Sequence, residues 1–155
     1  MPTNLPRFGE FVALIAMLTS LTALAIDAML PALVTIGREL GVQHDNDAQL
    51  ILTTLFLGLA LGQVFFGPLS DATGRKPLMY VGLGIFMLGS LLSMLAQDFS
   101  HMLIGRLLQG VGASAPRVLT MALVRDCYSG RAMARVMSFT MSIFILVPMI
   151  APSLG

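Results

Sequence analysis

The chain has 155 residues, 56% of them hydrophobic and 11% charged, with a mean hydropathy of +0.86. Ordinary globular chains carry about a quarter charged residues, and nine Lys/Arg with eight Asp/Glu cannot clothe this much apolar surface in water. Intrinsic disorder and a nucleic-acid partner are excluded on the same ground, and the single cysteine, Cys127, excludes an internal disulfide or a cysteine metal cluster.

A membrane-spanning helix needs about 20 mostly apolar residues, because a rise of 1.5 Å per residue must cross roughly 30 Å of hydrocarbon. Five segments meet or approach this length. The first runs from Phe11 to Ile36 and is interrupted by Asp27. Arg7, the apolar run behind it and Ala23-Leu24-Ala25 could be read as a secretory signal. The run continues past Ala25, so an uncleaved first span is the better reading. A carboxylate near a helix centre costs about 2.5–3.5 kcal/mol to insert, and intramembrane acids default to function. Oil penalises the charged form, which suits Asp27 to taking and releasing a proton. The rival reading is a helix that ends early, with Asp27 capping it or facing water, and Pro31 favours that rival.

The second span, Gln49 to Leu69, contains Gly58 and Gly62 at a spacing that lets helices approach closely. The connection that follows reads from Gly67 through Asp71, Gly74, Arg75 and Lys76 to Pro77. Asp71 can cap a helix or accept from Arg75. Gly74 permits a positive φ, and Pro77 suits a first helical turn. Leu78 to Ala96 forms the third span, marked by Gly82, Gly84 and Gly89.

The fourth span, Met102 to Val124, carries Arg106 and Arg117 eleven residues apart, with Gln109 near the same face. A polar stripe of this kind faces a protein interior or a water-filled cavity. Gly110 and Gly112 offer close packing on this helix. The fifth span starts at Met133 and is still apolar at Gly155, with Pro148 and Pro152 permitting a bend. The twelve Met residues are expected to pack or to face lipid rather than to bind metal.

Lys and Arg in the connections set the orientation. Arg7, Arg75, Lys76, Arg125, Arg131 and Arg135 fall on one side and only Arg38 on the other. Six against one puts the N-terminus in the cytoplasm. With that topology Asp27 and Arg106 both lie in the outer half of the membrane, where they can pair directly or through water, while Arg117 lies deeper, in the cytoplasmic half. No period-two alternation suggests strands. His44 and His101 lie in outer loops, and no nucleophile–base pair or phosphate loop of the GxxxxGK[ST] type is seen, so no enzyme is expected.

The run Gly67-x-Leu69-Ser70-Asp71-x-x-Gly74-Arg75-Lys76 resembles the loop signature of the major facilitator superfamily. Arg106-Leu107-Leu108-Gln109-Gly110-x-Gly112 resembles its fourth-helix motif, Asp27-Ala28-Met29-Leu30-Pro31 the first-helix motif of its drug/proton antiporters, and Pro148-x-x-x-Pro152-x-x-Gly155 part of their fifth-helix motif. With Leu123-Val124-Arg125-Asp126, the pattern is closest to drug efflux proteins of the bicyclomycin-resistance type. The resemblance implies an all-α polytopic bundle, five helices of the N-terminal six-helix half of a twelve-helix fold. It implies export of small-molecule drugs in exchange for protons across a bacterial inner membrane, with no cofactor beyond the proton gradient.

By the same resemblance Asp27 and Arg106 would couple protons, Gln109 and Arg117 would line the substrate cavity, and Gly67, Asp71, Gly74, Arg75 and Lys76 would form the conformational switch. The partners implied are drug, protons, the lipid bilayer and the C-terminal half. The chain would be a fragment that transports nothing unless a second polypeptide completes it. A metabolite transporter of the same superfamily and a non-transporting remnant or assembly partner are the alternatives.

Overall fold

A computed structural model describes residues 8–27, 29–41 and 45–154, with side chains described for all of these but 45, 46 and 147–154. Arg7, Ala28, His44 and Gly155 lie outside the described residues. The described chain is helical throughout: α1 (Phe8–Asp27), a 3-10 turn (Leu30–Ala32), α2 (Leu33–Glu39), α3 (Asp45–Ala48), α4 (Leu50–Thr73), α5 (Arg75–Met94), α6 (Phe99–Cys127) and α7 (Gly130–Leu154). Four stretches, Phe8–Glu39, Leu50–Thr73, Arg75–Met94 and Phe99–Cys127, are long and apolar enough to cross a membrane. Pro148 and Pro152 fall within α7.

The bundle is built around α6, which packs against α4 on one side and α5 on the other, while α1 lies against α6 and α7. The starts of α1 and α5 and the end of α6 share one end of the bundle. There Phe8 and Phe11 contact Tyr128, with ring centroids 6.2 and 5.3 Å apart, over a buried cluster of Phe11, Val12, Ile15, Val124 and Val136. At the opposite end Met29, Leu33, Ala48, Ile51 and Met102 bury one another, so α2 and α3 fold across the ends of α4 and α6. Large apolar side chains point outward along the helices: Val64 and Met87 are each 70% exposed. In water such faces would be interaction sites; on spans of this length they face lipid.

Two sequence expectations change. The first span is not one helix from 11 to 36. It breaks after Asp27 and resumes through the 3-10 turn, because Pro31 brings no backbone donor and restricts the residue before it. The connection from Gly67 to Pro77 is not an extended loop either. Apart from Gly74 it belongs to α4 and α5, so Asp71 sits in the last turn of α4 and caps no helix start. Gly74 alone makes the turn, at φ 92° and ψ 154°, a region essentially reserved for glycine.

Candidate functional site

The small residues of α6 determine how closely its neighbours come. A methyl group on Gly110 would run into the Leu55 carbonyl and lie 2.9 Å from the Leu59 nitrogen; one on Gly112 would strike Phe86, with its Cα at 2.6 Å. Gly58, Gly62, Gly82 and Gly89 meet α6 in the same way from the α4 and α5 sides. These glycines therefore serve packing, as close-approach residues do between helices in lipid. Gly84 and Gly67 have nothing within 4 Å and play no such part.

Arg75, in the first turn of α5, ties three helices at the turn end. Its Nε donates to Asp126 Oδ2 at 2.6 Å, while Asp71 is 3.8 Å from its Nη2. The shorter contact decides which partner matters. Asp126 on α6 holds the guanidinium, and Asp71, with 76% of its side chain exposed, is a loose second partner. Gly67 and Asp71 line a polar recess of about 410 Å³ beside Arg75, together with Arg117, Arg125 and Asp126. Lys76 is exposed.

Arg106 anchors the second polar group. Its Nη1 donates to Gln109 Oε1 at 2.6 Å, Gln109 Nε2 donates to Ser90 Oγ at 2.9 Å, and Ser90 donates on to the Phe86 carbonyl at 2.8 Å. The chain of bonds joins α6 to α5. Both ends of the buried Gln109 amide are engaged, so it positions Arg106 as well as lining a cavity of about 450 Å³. Arg106 Nε is buried without a partner among the described residues. Glu39, at the end of α2, lines the same cavity.

Asp27 is half-buried at the break of the first span. Among the described residues it forms no hydrogen bond or ion pair, so the direct pair with Arg106 is not made in this conformation. Arg117 faces neither residue. It lies on the opposite stretch of α6, where it lines the polar recess and, on its other flank, a slot of about 140 Å³ between α1, α6 and α7.

Outside the spans, Asp98 caps α6. Its carboxylate accepts from the His101 backbone N–H at 2.9 Å and lies 2.6 Å from His101 Nδ1. These bonds, the backbone one foremost, hold its pKa below the ordinary 3.8.

The places that Asp126, Ser90 and Glu39 take in these groups escape a reading of the sequence. Asp126 is one of two charges at a helix end, and only the fold shows that Arg75 arrives beside it. Ser90 is an ordinary small residue of the third span until Gln109 meets it.

The family profile of the Major Facilitator Superfamily matches residues 15–155. The chain is 38% identical over 154 residues to the Uncharacterized MFS-type transporter YdgK of Bacillus subtilis, covering 99% of this chain and 38% of that protein. It is 33% identical to a Bicyclomycin resistance protein homolog of Haemophilus influenzae, over 94% of this chain and 36% of the relative. It is 39% identical to the Multidrug resistance protein MdtL of Klebsiella pneumoniae, over 84% and 33%. The chain thus spans between a third and two-fifths of the length of these curated relatives. A helical bundle with several apolar spans and this match define a multi-pass membrane protein of a transporter family. The chain belongs to the Major Facilitator Superfamily.

Proposed function

We propose that this chain supplies the first helices of a proton-coupled exporter of small-molecule drugs in a bacterial inner membrane. The drug-resistance names of two relatives support the export reading, and the ionisable groups within the spans support the coupling. One observation carries it: Asp27 is a half-buried acid at a helix break, and no cation among the described residues holds its charge. An acid within a membrane span that no cation holds is a functional group by default. In the proposed cycle Asp27 takes a proton from the outer side as drug departs and releases it inward after the halves rock. Moving one charge through 100 mV supplies about 2.3 kcal/mol, so no nucleotide is required. Arg106, fixed by Gln109 and Ser90, gives α6 a half-buried cation that biases Asp27 whenever the helices close up. The Arg75–Asp126 contact holds the turn end in one of the two states. The family's other helices, the sixth of the N-terminal half and those of the C-terminal half, would complete the drug path.

The test is drug movement in proteoliposomes of the full-length protein under an imposed pH gradient. Export should collapse with the gradient in the wild type and be absent in Asp27→Asn, with membrane insertion unchanged. Gradient-driven export at the wild-type rate in Asp27→Asn would clear Asp27 of the role. Export indifferent to the gradient would remove antiport altogether.

A further inference from the structure

Arg117 is the cation that the proposed cycle leaves unused. It lies about 27 Å along α6 from Phe99 and about 15 Å from Cys127, at 1.5 Å per residue, well inside the span. A guanidinium at such depth pairs with an acid, with carbonyls or with a ligand. Among the described residues the Arg117 guanidinium has no hydrogen bond or ion pair; its backbone carbonyl accepts from Thr120 at 3.2 Å. The carboxylate in the recess closest to use, Asp126, is taken by Arg75 at 2.6 Å. The recess holds Arg75, Arg117 and Arg125 against Asp71 and Asp126, an excess of positive charge.

The other flank of Arg117 is different in kind. The slot between α1, α6 and α7 is walled by Ile15, Met137 and Phe144 and carries the hydroxyls of Thr19, Thr120 and Thr140. No acid lines it. Thr19 and Thr140 already donate to carbonyls of their own helices, at 2.9 Å each. Its volume of about 140 Å³ is close to the ~150 Å³ of an apolar cavity that takes up benzene.

We propose that Arg117 and this slot form a binding site for a compact apolar ring bearing an anionic group, the ring seated among Ile15, Met137 and Phe144 and the anion on the guanidinium. The site selects against cations, because the charge at its mouth is positive and, among the described residues, no carboxylate lines the slot itself. As a statement about transported drugs this rests on the export reading; as a statement about binding it does not.

The test is ligand-observed fluorine NMR on the full-length protein in phosphatidylcholine nanodiscs, with no gradient and no transport. The probes share one ring and differ in charge: 4-fluorobenzoate, 4-fluorobenzyl alcohol and 4-fluorobenzylammonium. The benzoate should bind at least about tenfold more tightly than the other two, the margin expected of a hydrogen bond between charged groups. Arg117→Gln should erase that margin, Arg117→Lys should keep part of it, and Met121→Trp, which fills the slot from its exposed rim, should abolish binding of all three. Equal binding of the three probes, preference for the ammonium, or an unchanged margin in Arg117→Gln would overturn the proposal. So would loss of benzoate binding on adding phosphatidylglycerol, which would assign the site to a lipid headgroup. If the full-length protein exports no drug in proteoliposomes while the charge order persists, the export reading fails and this one stands.

Discussion

The contact between α4 and α6 can be tested by a single methyl group. Gly110→Ala places a Cβ against the Leu55 carbonyl, 2.9 Å from the Leu59 nitrogen and 3.1 Å from the Gly58 Cα. Carbon contacts settle at about 3.5–4.0 Å, so α4 must retreat by on the order of an ångström. The obstructing atoms are backbone and cannot rotate away, which puts the cost toward the top of the roughly 1–3 kcal/mol range for overpacking. Alanine returns about 1 kcal/mol of helix propensity, leaving a net loss of about 2 kcal/mol. Gly84→Ala in α5 is the matched control. Nothing lies within 4 Å of it, so only the propensity gain applies and the variant should be unchanged or more stable by up to about 1 kcal/mol. Cys127 is the only cysteine in the chain and is half-buried beside the Phe11–Val136 cluster. In an otherwise cysteine-free full-length protein, a thiol-reactive fluorogenic dye therefore reports unfolding on heating. At about 2–4 °C per kcal/mol for a cooperative unit of 150–250 residues, Gly110→Ala should melt roughly 4–8 °C lower. Equal melting of the two variants would refute the claim that α4 and α6 touch through backbone.

Other expectations follow from the turn end and the α6 cap. Asp126→Asn and Arg75→Gln should each cost about 1 kcal/mol or less, because Asp126 is half exposed. Their double variant should cost less than the sum in the same dye assay. Strict additivity would mean that the 2.6 Å contact does not exist in the membrane. Gly74→Ala forces an alanine to φ 92° and should cost about 1–3 kcal/mol, measured by the same melt. For Asp98, whose folded pKa is depressed, the sign is that of a carboxylate stabilised in its charged form. The cap is fully present above the ordinary 3.8 and is lost as pH falls through the lower folded value. Amide exchange at His101 should therefore accelerate on acidification below that point, and Asp98→Ala should show fast exchange at every pH.

Much of this was legible in the sequence because membrane physics acts locally. An apolar run of sufficient length becomes a helix whatever surrounds it, and four stretches of the described chain are helical, apolar and long enough to cross a membrane, the first of them broken after Asp27. Gly74 was legible for the same reason, since one residue's φ answers to one residue's chemistry. The break after Asp27 was only half legible. Pro31 warned of it, but hydropathy runs on through the interruption and masks the turn. The charge partners were not legible. Asp71 stands four residues from Arg75 and invites the pairing, yet Asp126, fifty-one positions away along the chain, lies nearer. The Arg106–Gln109–Ser90 chain has the same character: its first bond is local and readable, and its second depends on which face of α5 the glycines admit to α6.

That dependence bears on how such a bundle can move. Where glycine backbones touch, a helix cannot slide without steric cost, so α4, α5 and α6 behave as one body, further pinned by Gln109 and Ser90. α1 and α7 meet α6 through side chains instead, at the Phe11–Val124–Val136 cluster and around the small slot beside Arg117. Packed side chains can exchange one arrangement for another at far lower cost than backbones in contact. Asp27 on α1 and Arg117 at the slot, whose side chains have no partner among the described residues, both stand on this looser seam, while Arg75 and Arg106, which do have partners, stand on the tight one. A charge can report a conformational change only where its surroundings change, so the protonation proposed at Asp27 and the anion proposed at Arg117 would act on the seam that is able to respond.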